Sequence, residues 1–279
     1  MGMSRKLVLF FLSFVLFSQA SWGADVVIFT QDNSSALQIA ENLSKQIDSS
    51  EIVTSPPDES TYKVVITLGN KAFNELENST KPHVASFVSY NSFNTQKNQS
   101  EKYAVYSDPN PNELALEIEK KFPSSRIGYI FADTNEPYLT RLRATDIKLT
   151  EQKLVSDDIF KTFRFIFNTG PLDALYITEN REIFNRKNIL YVLESLFRNK
   201  VAAISSNPAL QTKGAVLTVV ANHNSIISKT VDITNSLINK DISAVKKHNF
   251  ANTETMVNNR LASFMNLEIK NKGGEDDQN

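Results

Sequence analysis

The sequence predicts an α/β protein made of two lobes, each built on a parallel sheet. Short β-branched runs alternate with amphipathic segments along most of the chain, and this alternation occurs in both halves. The chain is also longer than one hydrophobic core usually organises. Strands that alternate with helices at this pace are typical of βαβ units with right-handed crossovers onto a parallel sheet.

The first 23 residues predict a cleavable secretory signal peptide, and therefore a periplasmic protein. Arg5 and Lys6 precede the apolar run Leu7–Phe17, and the small residues Ser21 and Gly23 stand before Ala24. The run is shorter than the roughly 20 residues that span a bilayer, so an uncleaved anchor is the weaker alternative. Cleavage removes two positive charges and no acid, which moves the formal charge from −1 to −3.

Composition narrows the possible functions. The chain has no cysteine, so disulfides, a lipid-modified N-terminal cysteine and a thiol nucleophile are excluded. Positive and negative charges nearly balance, which gives no support for a nucleic acid or an anionic membrane surface as partner. The polar segment 270–279 is predicted to be a disordered tail.

The first lobe is predicted to span 24–122. A helix is expected after Asn33 and another at 71–78, whereas 91–102 is expected to be a polar loop. The expected strands are the apolar runs at 25–30, 51–54, 63–68, 83–90 and 103–107.

A short amphipathic helix connects the two halves. Leu114, Ile118 and Phe122 repeat at i, i+4 and i+8, so one face of this helix is buried. Pro123 ends the helix, and the run 126–131 begins a new strand.

The second lobe is predicted to span 123–269, with the chain crossing back near the C-terminus. Ser156 is expected to cap a helix that has Asp157 and Asp158 in its first turn. Further helices are expected around 138–147 and at 181–199, 225–238 and 253–266. Further strands are expected at 152–155, 173–178, 200–206 and 215–222.

Five stretches occur in the order of one known family: VVITLGNKAF, YAVYSDPNPNELALEIEKKFPSSRIGYIF, LDALYITEN, VAAISSNPALQTKGAVLTVVAN and VNNRLASFMNLEI. They resemble the ABC-transporter substrate-binding proteins whose known members bind aromatic amino acids, over roughly 64–269. The resemblance implies a type I periplasmic-binding-protein fold, with two Rossmann-like lobes, a hinge and a cleft that closes on a small ligand. The glycine-rich stretch that usually follows the fourth strand is replaced here by NSFNTQKNQSEK, beside the expected pocket. The family's ligand therefore does not transfer to this chain.

Loops at the carboxyl ends of the predicted strands supply the candidate ligand-binding residues, because doubly wound sheets bind ligands there. In the first lobe the candidates are Gln31, Asp32, Gly69, Asn70, Ser89 and Tyr90. In the second lobe they are Asp133, Thr134, Glu179, Asn180, Ser206, Asn207 and Asn222.

Each role has a structural alternative. Gly69 and Asn70 offer backbone N–H groups to a ligand carboxylate, or form only a tight βα turn. Tyr90 stacks on a ligand, or is a surface tyrosine at a strand end. Glu179 pairs with a ligand amine, whereas Asn180, the polar position after the family's "DA" strand, contacts ligand or caps a helix. The segment that contains Ser206 and Asn207 binds ligand or only shapes a turn.

No catalytic site, metal site or cofactor is predicted. His83, His223 and His248 fit no metal-ligand spacing, and the sequence has no GxSxG, P-loop or GxGxxG motif. An enzyme is therefore the least favoured class.

Two functions remain open. The favoured one is a periplasmic solute-binding protein that captures a small ligand in an interlobe cleft and delivers it to an inner-membrane ABC permease. The alternative is a ligand-poor module on the same scaffold that docks on an envelope sensor, a receptor or a larger assembly. The replaced glycine-rich segment and the Asn-rich loops motivate this alternative.

Overall fold

The computed structural model describes residues 24–156, 158–168 and 170–267. The predicted signal peptide, Asp157 and the predicted tail lie outside the described residues. Within them, the chain forms two sheets of six strands each.

The first sheet contains only parallel neighbours, in the order β11-β5-β4-β3-β1-β2. Its strands are β1 (Val26–Phe29), β2 (Ser50–Val53), β3 (Val64–Leu68), β4 (His83–Val88), β5 (Lys102–Tyr106) and β11 (His248–Phe250). Its helices are α1 (Ser34–Ser44), α2 (Gly69–Glu75), α3 (Tyr90–Thr95) and α8 (His223–Ile238), with a 3₁₀ turn at Glu59–Thr61. Helix α8 packs across β3, β4 and β5.

The second sheet has the order β12-β10-β9-β8-β6-β7. Its strands are β6 (Arg126–Phe131), β7 (Lys148–Lys153), β8 (Ala174–Ile177), β9 (Ala202–Ser205), β10 (Leu217–Ala221) and β12 (Thr253–Val257). Only β12 runs antiparallel to its neighbour, β10. The remaining helices are α4 (Pro111–Lys121), α5 (Pro137–Arg143), α6 (Ile159–Asn168), α7 (Ile189–Arg198) and α9 (Asn259–Phe264), with a 3₁₀ turn at Pro208–Lys213. The predicted α/β class with two parallel-dominant sheets is confirmed.

The central strands are apolar on both faces because helices or other layers cover both faces of a parallel sheet. Every residue of β1, β3 and β8 is buried. The edge strand β7, in contrast, carries Lys148, Glu151 and Lys153, and none of its residues is buried. Charged side chains at such an edge discourage pairing with another chain.

The chain passes between the sheets three times. The first crossing, 107–110, joins β5 to α4, the second joins β10 to α8 at Asn222, and the third, 251–252, joins β11 to β12. The Asn222 N–H donates to the Asn252 carbonyl at 2.7 Å, which ties the second crossing to the third. Residues 223–250 thus return to the first sheet, while the predicted lobe boundary at 122–123 stays a prediction.

The predicted helix at 181–199 is wrong in its first half, since α7 begins only at Ile189. Asparagine side chains form hydrogen bonds with the local backbone N–H groups instead. Asn180 Oδ1 accepts the Glu182 N–H at 3.0 Å, and Asn185 Oδ1 accepts the Lys187 N–H at 3.0 Å. Such side-chain bonds compete with the helical ladder and hold 181–188 in turns.

Four further expectations are corrected. The expected helix at 253–266 is the strand β12 followed by α9. The expected cap Ser156 is replaced by Asp158, whose carboxylate accepts the Phe160 and Lys161 N–H groups at 2.9 and 3.2 Å. The strand expected at 152–155 lies earlier, as β7, and the expected polar loop at 91–102 begins inside α3.

Gly128, in the middle of β6, fills a position without room for a side chain. A Cβ there would lie 2.7 Å from Leu175 Cδ1 and 3.1 Å from Leu172 Cδ1. We expect Gly128→Ala to lower the free energy of unfolding by about 1–3 kcal/mol, measured by urea unfolding, because an added methyl overpacks the core.

Gly69→Asn is the matched control for that substitution. Gly69 has φ +82° with no atom within 4 Å of a Cβ, and asparagine tolerates left-handed backbone. We expect it to cost less than about 1 kcal/mol. Equal stabilities of Gly128→Ala and the parent protein would contradict the packing described for β6.

Candidate functional site

A buried carboxylate joins the two lobes. Asn91, in α3, donates from Nδ2 to Glu136 Oε1 at 2.6 Å, and its Oδ1 accepts the Tyr138 N–H at 2.8 Å. The second oxygen of Glu136 accepts the Tyr129 hydroxyl at 3.2 Å, and the side chain of Glu136 is buried. The ends of β4 and β6 therefore meet through one polar network.

Tyr90 adds an aromatic contact beside this network. Its ring stacks on Phe250 with centroids 5.5 Å apart and lies 4.9 Å from the Tyr106 ring. Its hydroxyl accepts from Arg141 Nε at 2.9 Å, and Arg141 belongs to the second lobe. Tyr138 also bridges the lobes, because its hydroxyl donates to the Pro109 carbonyl at 2.8 Å.

An irregularity at the end of β4 places these residues. The register with β5 shifts between Ser86 and Val88, and Phe87 has φ +55°. Such a bulge bends the strand. Ser89 then caps α3 by accepting the Ser92 N–H at 3.1 Å, so Tyr90 begins the helix that faces the second lobe.

Burial raises the pKa values of the carboxyl groups at this junction. The pKa of Glu136 rises to about 7, because burial outweighs the hydrogen bonds from Tyr129 and Asn91, and because Asp108 and Asp133 add negative charge nearby. The pKa of Asp108 rises to about 6 through loss of solvent, although its carboxylate accepts the Tyr90 N–H at 2.5 Å.

A cavity of about 680 Å³ opens at the carboxyl ends of β8 and β9. Its walls combine apolar side chains, two asparagines, four cationic side chains and one acid. The lining residues are Ile177, Thr178, Glu179, Arg181, Phe184, Asn185, Arg186, Lys187, Ile189, Asn207, Ala209, Leu210 and Lys213. This volume lies within the range of small-molecule sites, and this end of a parallel sheet is where such sites form.

The first-lobe candidates take structural roles. Gln31 and the exposed Asp32 form the turn before α1, where the Gln31 carbonyl accepts the Asn33 N–H at 2.8 Å. Gly69 opens α2, and Asn70 Oδ1 accepts the Ser89 N–H at 2.7 Å, which brings the ends of β3 and β4 together. Tyr90 is not at the surface, and its ring is covered by protein rings in this arrangement. Ligand contact by these residues stays a prediction.

Four of the seven second-lobe candidates form two pairs. Glu179 and Asn207 line the cavity. Asp133 and Thr134 are exposed in a turn where Asp133 Oδ1 accepts the Asn135 N–H at 3.0 Å.

The remaining three candidates lie beside the cavity or at the crossing. Asn180 accepts the Glu182 N–H and so shapes the turn that begins 181–188, as described above. Ser206 is buried and its Oγ has no hydrogen-bond partner among the described residues. Asn222 caps α8 through the Ser225 N–H at 2.7 Å and belongs to the second crossing.

The sequence interpretation missed the groups with the most perturbed environments. Glu136 and Asp108 follow strand ends, a position that predicted other candidates but not these two. The cations Arg181, Arg186 and Lys187 lie in the first half of the helix expected at 181–199, although the Asn-rich segment TENREIFNRKN carries the signal of a turn. Lys213 lies in the loop expected between the strands at 200–206 and 215–222.

Glu179 is the acid of the cavity. It remains exposed to solvent, yet crowding by protein atoms and the nearby Asp108 raise the pKa of its carboxyl, against the opposite effect of Arg181. Within residues 24–156, 158–168 and 170–267, no group of three or more His, Asp or Glu residues is arranged to hold a metal ion, and no helix is long and apolar enough to cross a membrane.

Solved structures share this fold. A ligand-free, open substrate-binding protein with adhesive properties from Clostridium difficile has a TM-score of 0.65 at 14% identity, and the match covers 89% of this chain and 96% of that one. A conserved domain protein from Vibrio cholerae O1 biovar El Tor str. N16961 has a TM-score of 0.60 at 14% identity, with 89% and 96% covered.

A third similar structure carries a ligand. The ABC domain from Streptococcus pneumoniae in complex with L-Trp has a TM-score of 0.57 at 13% identity, with 88% of this chain and 96% of that chain covered. The resemblance predicted from the sequence stretches is confirmed at the level of the fold. No family model and no curated protein sequence matches the chain.

Glu136→Gln is expected to remove a pH dependence of stability. The folded protein holds the Glu136 proton up to about pH 7, whereas the ordinary pKa is 4.5. Between these values the folded state binds more protons than the unfolded chain, so this contribution to the free energy of unfolding is full below about pH 4.5 and lost as pH rises through 7. The change is roughly 3 kcal/mol.

Urea unfolding of the parent protein and of Glu136→Gln across this pH window measures the effect. The difference between them should grow with pH in favour of the glutamine variant. Glu41→Gln, on the exposed part of α1, is the control. A constant difference across the window would contradict a buried, protonated Glu136.

Asn91→Ala should weaken the connection between the lobes at a cost of about 2 kcal/mol, because a buried carboxyl oxygen of Glu136 loses its donor. Asn94→Ala is the matched control, since Asn94 Nδ2 donates to the Tyr90 carbonyl at 2.8 Å inside the first lobe. A double-mutant cycle by urea unfolding should show coupling of Asn91 with Glu136 and none of Asn94 with Glu136. Equal coupling for both would argue against the bridge.

Proposed function

We propose that this chain is a solute-binding protein that captures a small molecule at the carboxyl ends of its strands and delivers it to an inner-membrane ABC permease. The observation that carries the proposal is the cavity at the ends of β8 and β9, in a protein of two similar sheets connected by three crossings. All of the lining residues lie between 177 and 213, so this cavity belongs to the second lobe and is not the expected interlobe cleft.

The compartment follows from the sequence. A cleavable signal peptide would place the protein in the periplasm, and two of the similar structures are described as a substrate-binding protein and an ABC domain with bound L-Trp. The first is described as a substrate-binding protein and the second holds L-Trp, which favours binding as the function here.

A second candidate function rests on a different surface. Phe160 of α6 and Tyr191 of α7 are both exposed, with their rings 6.2 Å apart, and Phe165, Leu190 and Phe197 are also exposed on these two helices. Exposed apolar groups of this kind mark interaction sites. They favour a module that docks on an envelope sensor, a receptor or an assembly, and the adhesive neighbour is consistent with such a role.

Thermal unfolding with a panel of amino acids, purines, peptides and small organic acids tests the first proposal. A ligand at 100-fold its dissociation constant should stabilise the protein by about 2.7 kcal/mol, a shift of a few degrees. Asn207→Ala, in the cavity, should abolish the shift, whereas Asn239→Ala, at the exposed end of α8, should retain it.

A panel that shifts nothing on a well-folded sample would overturn the solute-binding proposal and favour docking. A shift that survives Asn207→Ala would place the ligand elsewhere.

A further inference from the structure

The cavity at the ends of β8 and β9 has an unusual charge. Arg181, Arg186, Lys187 and Lys213 line it, and Glu179 is the one acid among its lining residues, so the lining carries a formal +3 when Glu179 is ionised. The whole chain carries a formal charge of −1. The cavity lining is therefore positively charged, although the chain as a whole has a slightly negative formal charge.

All four of these cationic residues are exposed to solvent. Ion pairs within the described residues join other cations to acids, as in Lys63 with Asp25 and Arg143 with Glu151. None of the four cavity cations has a carboxylate oxygen within 4.0 Å in this part of the chain. Like charges in one cavity repel, and an anion between them would reverse that energy.

Neutral donors complete the lining. Asn185 and Asn207 each use the side-chain oxygen to accept a backbone N–H, from Lys187 and Ala209 respectively, both at 3.0 Å. The amide N–H groups of both side chains have no acceptor among the described residues and line the same cavity. Guanidinium groups, amide N–H groups and ammonium groups together form the donor set that binds phosphate and carboxylate oxygens.

The rest of the cavity is apolar. Ile177, Phe184 and Leu210 are buried side chains that form part of its wall. A simple inorganic ion would leave this surface and most of the 680 Å³ without contact. The ligand therefore has an organic part as well as charged oxygens.

From this geometry we infer that the cavity binds a small organic polyanion, a molecule with a phosphate group or at least two carboxylates. The inference rests on the proposed solute-binding function and names its ligand class. Arg181 and Arg186 would contact the charged oxygens bidentately, Lys187 and Lys213 would add point charges, and the apolar wall would hold the carbon skeleton. Glu179 would oppose the anion or accept a hydroxyl group of the ligand.

Isothermal titration calorimetry and thermal unfolding on the purified protein test the inference. The probes are citrate, succinate, O-phosphoserine and glycerol 3-phosphate, with serine and glycerol as matched neutral probes and sodium chloride at equal ionic strength as the blank. We expect at least one polyanion to bind, and serine and glycerol, which carry no net charge, not to bind. Comparison of citrate and succinate with O-phosphoserine and glycerol 3-phosphate then shows whether the cavity prefers carboxylate or phosphate groups.

Variants assign the binding to the cavity. Arg186→Gln with Lys213→Gln should raise the dissociation constant about tenfold or more, and Glu179→Gln should lower it several-fold. Arg198→Gln is the matched control, because Arg198 is an exposed arginine of α7 that pairs with Glu194 and does not line the cavity. Circular dichroism confirms that each variant is folded.

Each outcome decides one claim. If no polyanion binds more tightly than the blank, or if binding is unchanged in the double variant, the inference is wrong. A neutral or cationic ligand from the broader panel that depends on Asn207 but not on Arg186 or Lys213 would leave the solute-binding function standing and overturn only the ligand class. Failure of both panels would overturn both proposals.

Discussion

The structure depends on the backbone hydrogen bond between Asn222 and Asn252, which holds two of the three crossings side by side. The chain that leaves β10 enters the first sheet, where α8 covers β3, β4 and β5 and β11 extends the edge beyond β5. The chain then re-enters the second sheet from the side at which β10 ended. It can pair with β10 only in the opposite direction, which explains why β12 is antiparallel in an otherwise parallel sheet. The same side carries Thr253 and Thr255, whose hydroxyls donate to Glu113 and Glu117 of α4 at 2.7 and 3.2 Å.

Two polar regions lie at the strand ends, and they differ in whether their polar groups have hydrogen-bond partners within the protein. At the lobe junction each oxygen of Glu136 has a donor, from Asn91 or Tyr129, so the carboxyl group is held by the fold itself. A buried polar group satisfied in this way specifies an arrangement of the fold. The cavity on the second lobe is the opposite case, because its cations and amide N–H groups lack partners in the described part of the chain. Unsatisfied donors that remain open to solvent are what a ligand can use.

Much of the fold follows from local sequence signals, and the site does not. The runs VVIF, VVITL and RIGYIF form buried strands because β-branched and aromatic residues suit a sheet that is covered on both faces. The segment 181–188 misled the helix prediction because it runs directly into the amphipathic helix α7, while Asn180 and Asn185 accept backbone N–H groups locally and stop the ladder. That error also hid three of the four cavity cations. Glu136 could not be found from the sequence, since its environment is created by Asn91, which lies 45 residues away. Tyr90 was found, but its partners Phe250 and Arg141 come from distant segments that the sequence does not bring together.

The junction and the cavity are linked through Asp108, which lies in the first crossing. Its charge contributes to the raised pKa of Glu136 at the junction and of Glu179 in the cavity wall. Acids with raised pKa values therefore extend from the lobe junction to the mouth of a cationic cavity. The positive charge of Arg181 acts in the other direction and lowers the pKa of Glu179. An anion that neutralised Arg181 would remove this opposing effect, and Glu179 would then hold its proton more firmly. Because a protonated Glu179 would no longer repel the anion, binding of the proposed ligand and proton uptake would favour each other in this arrangement.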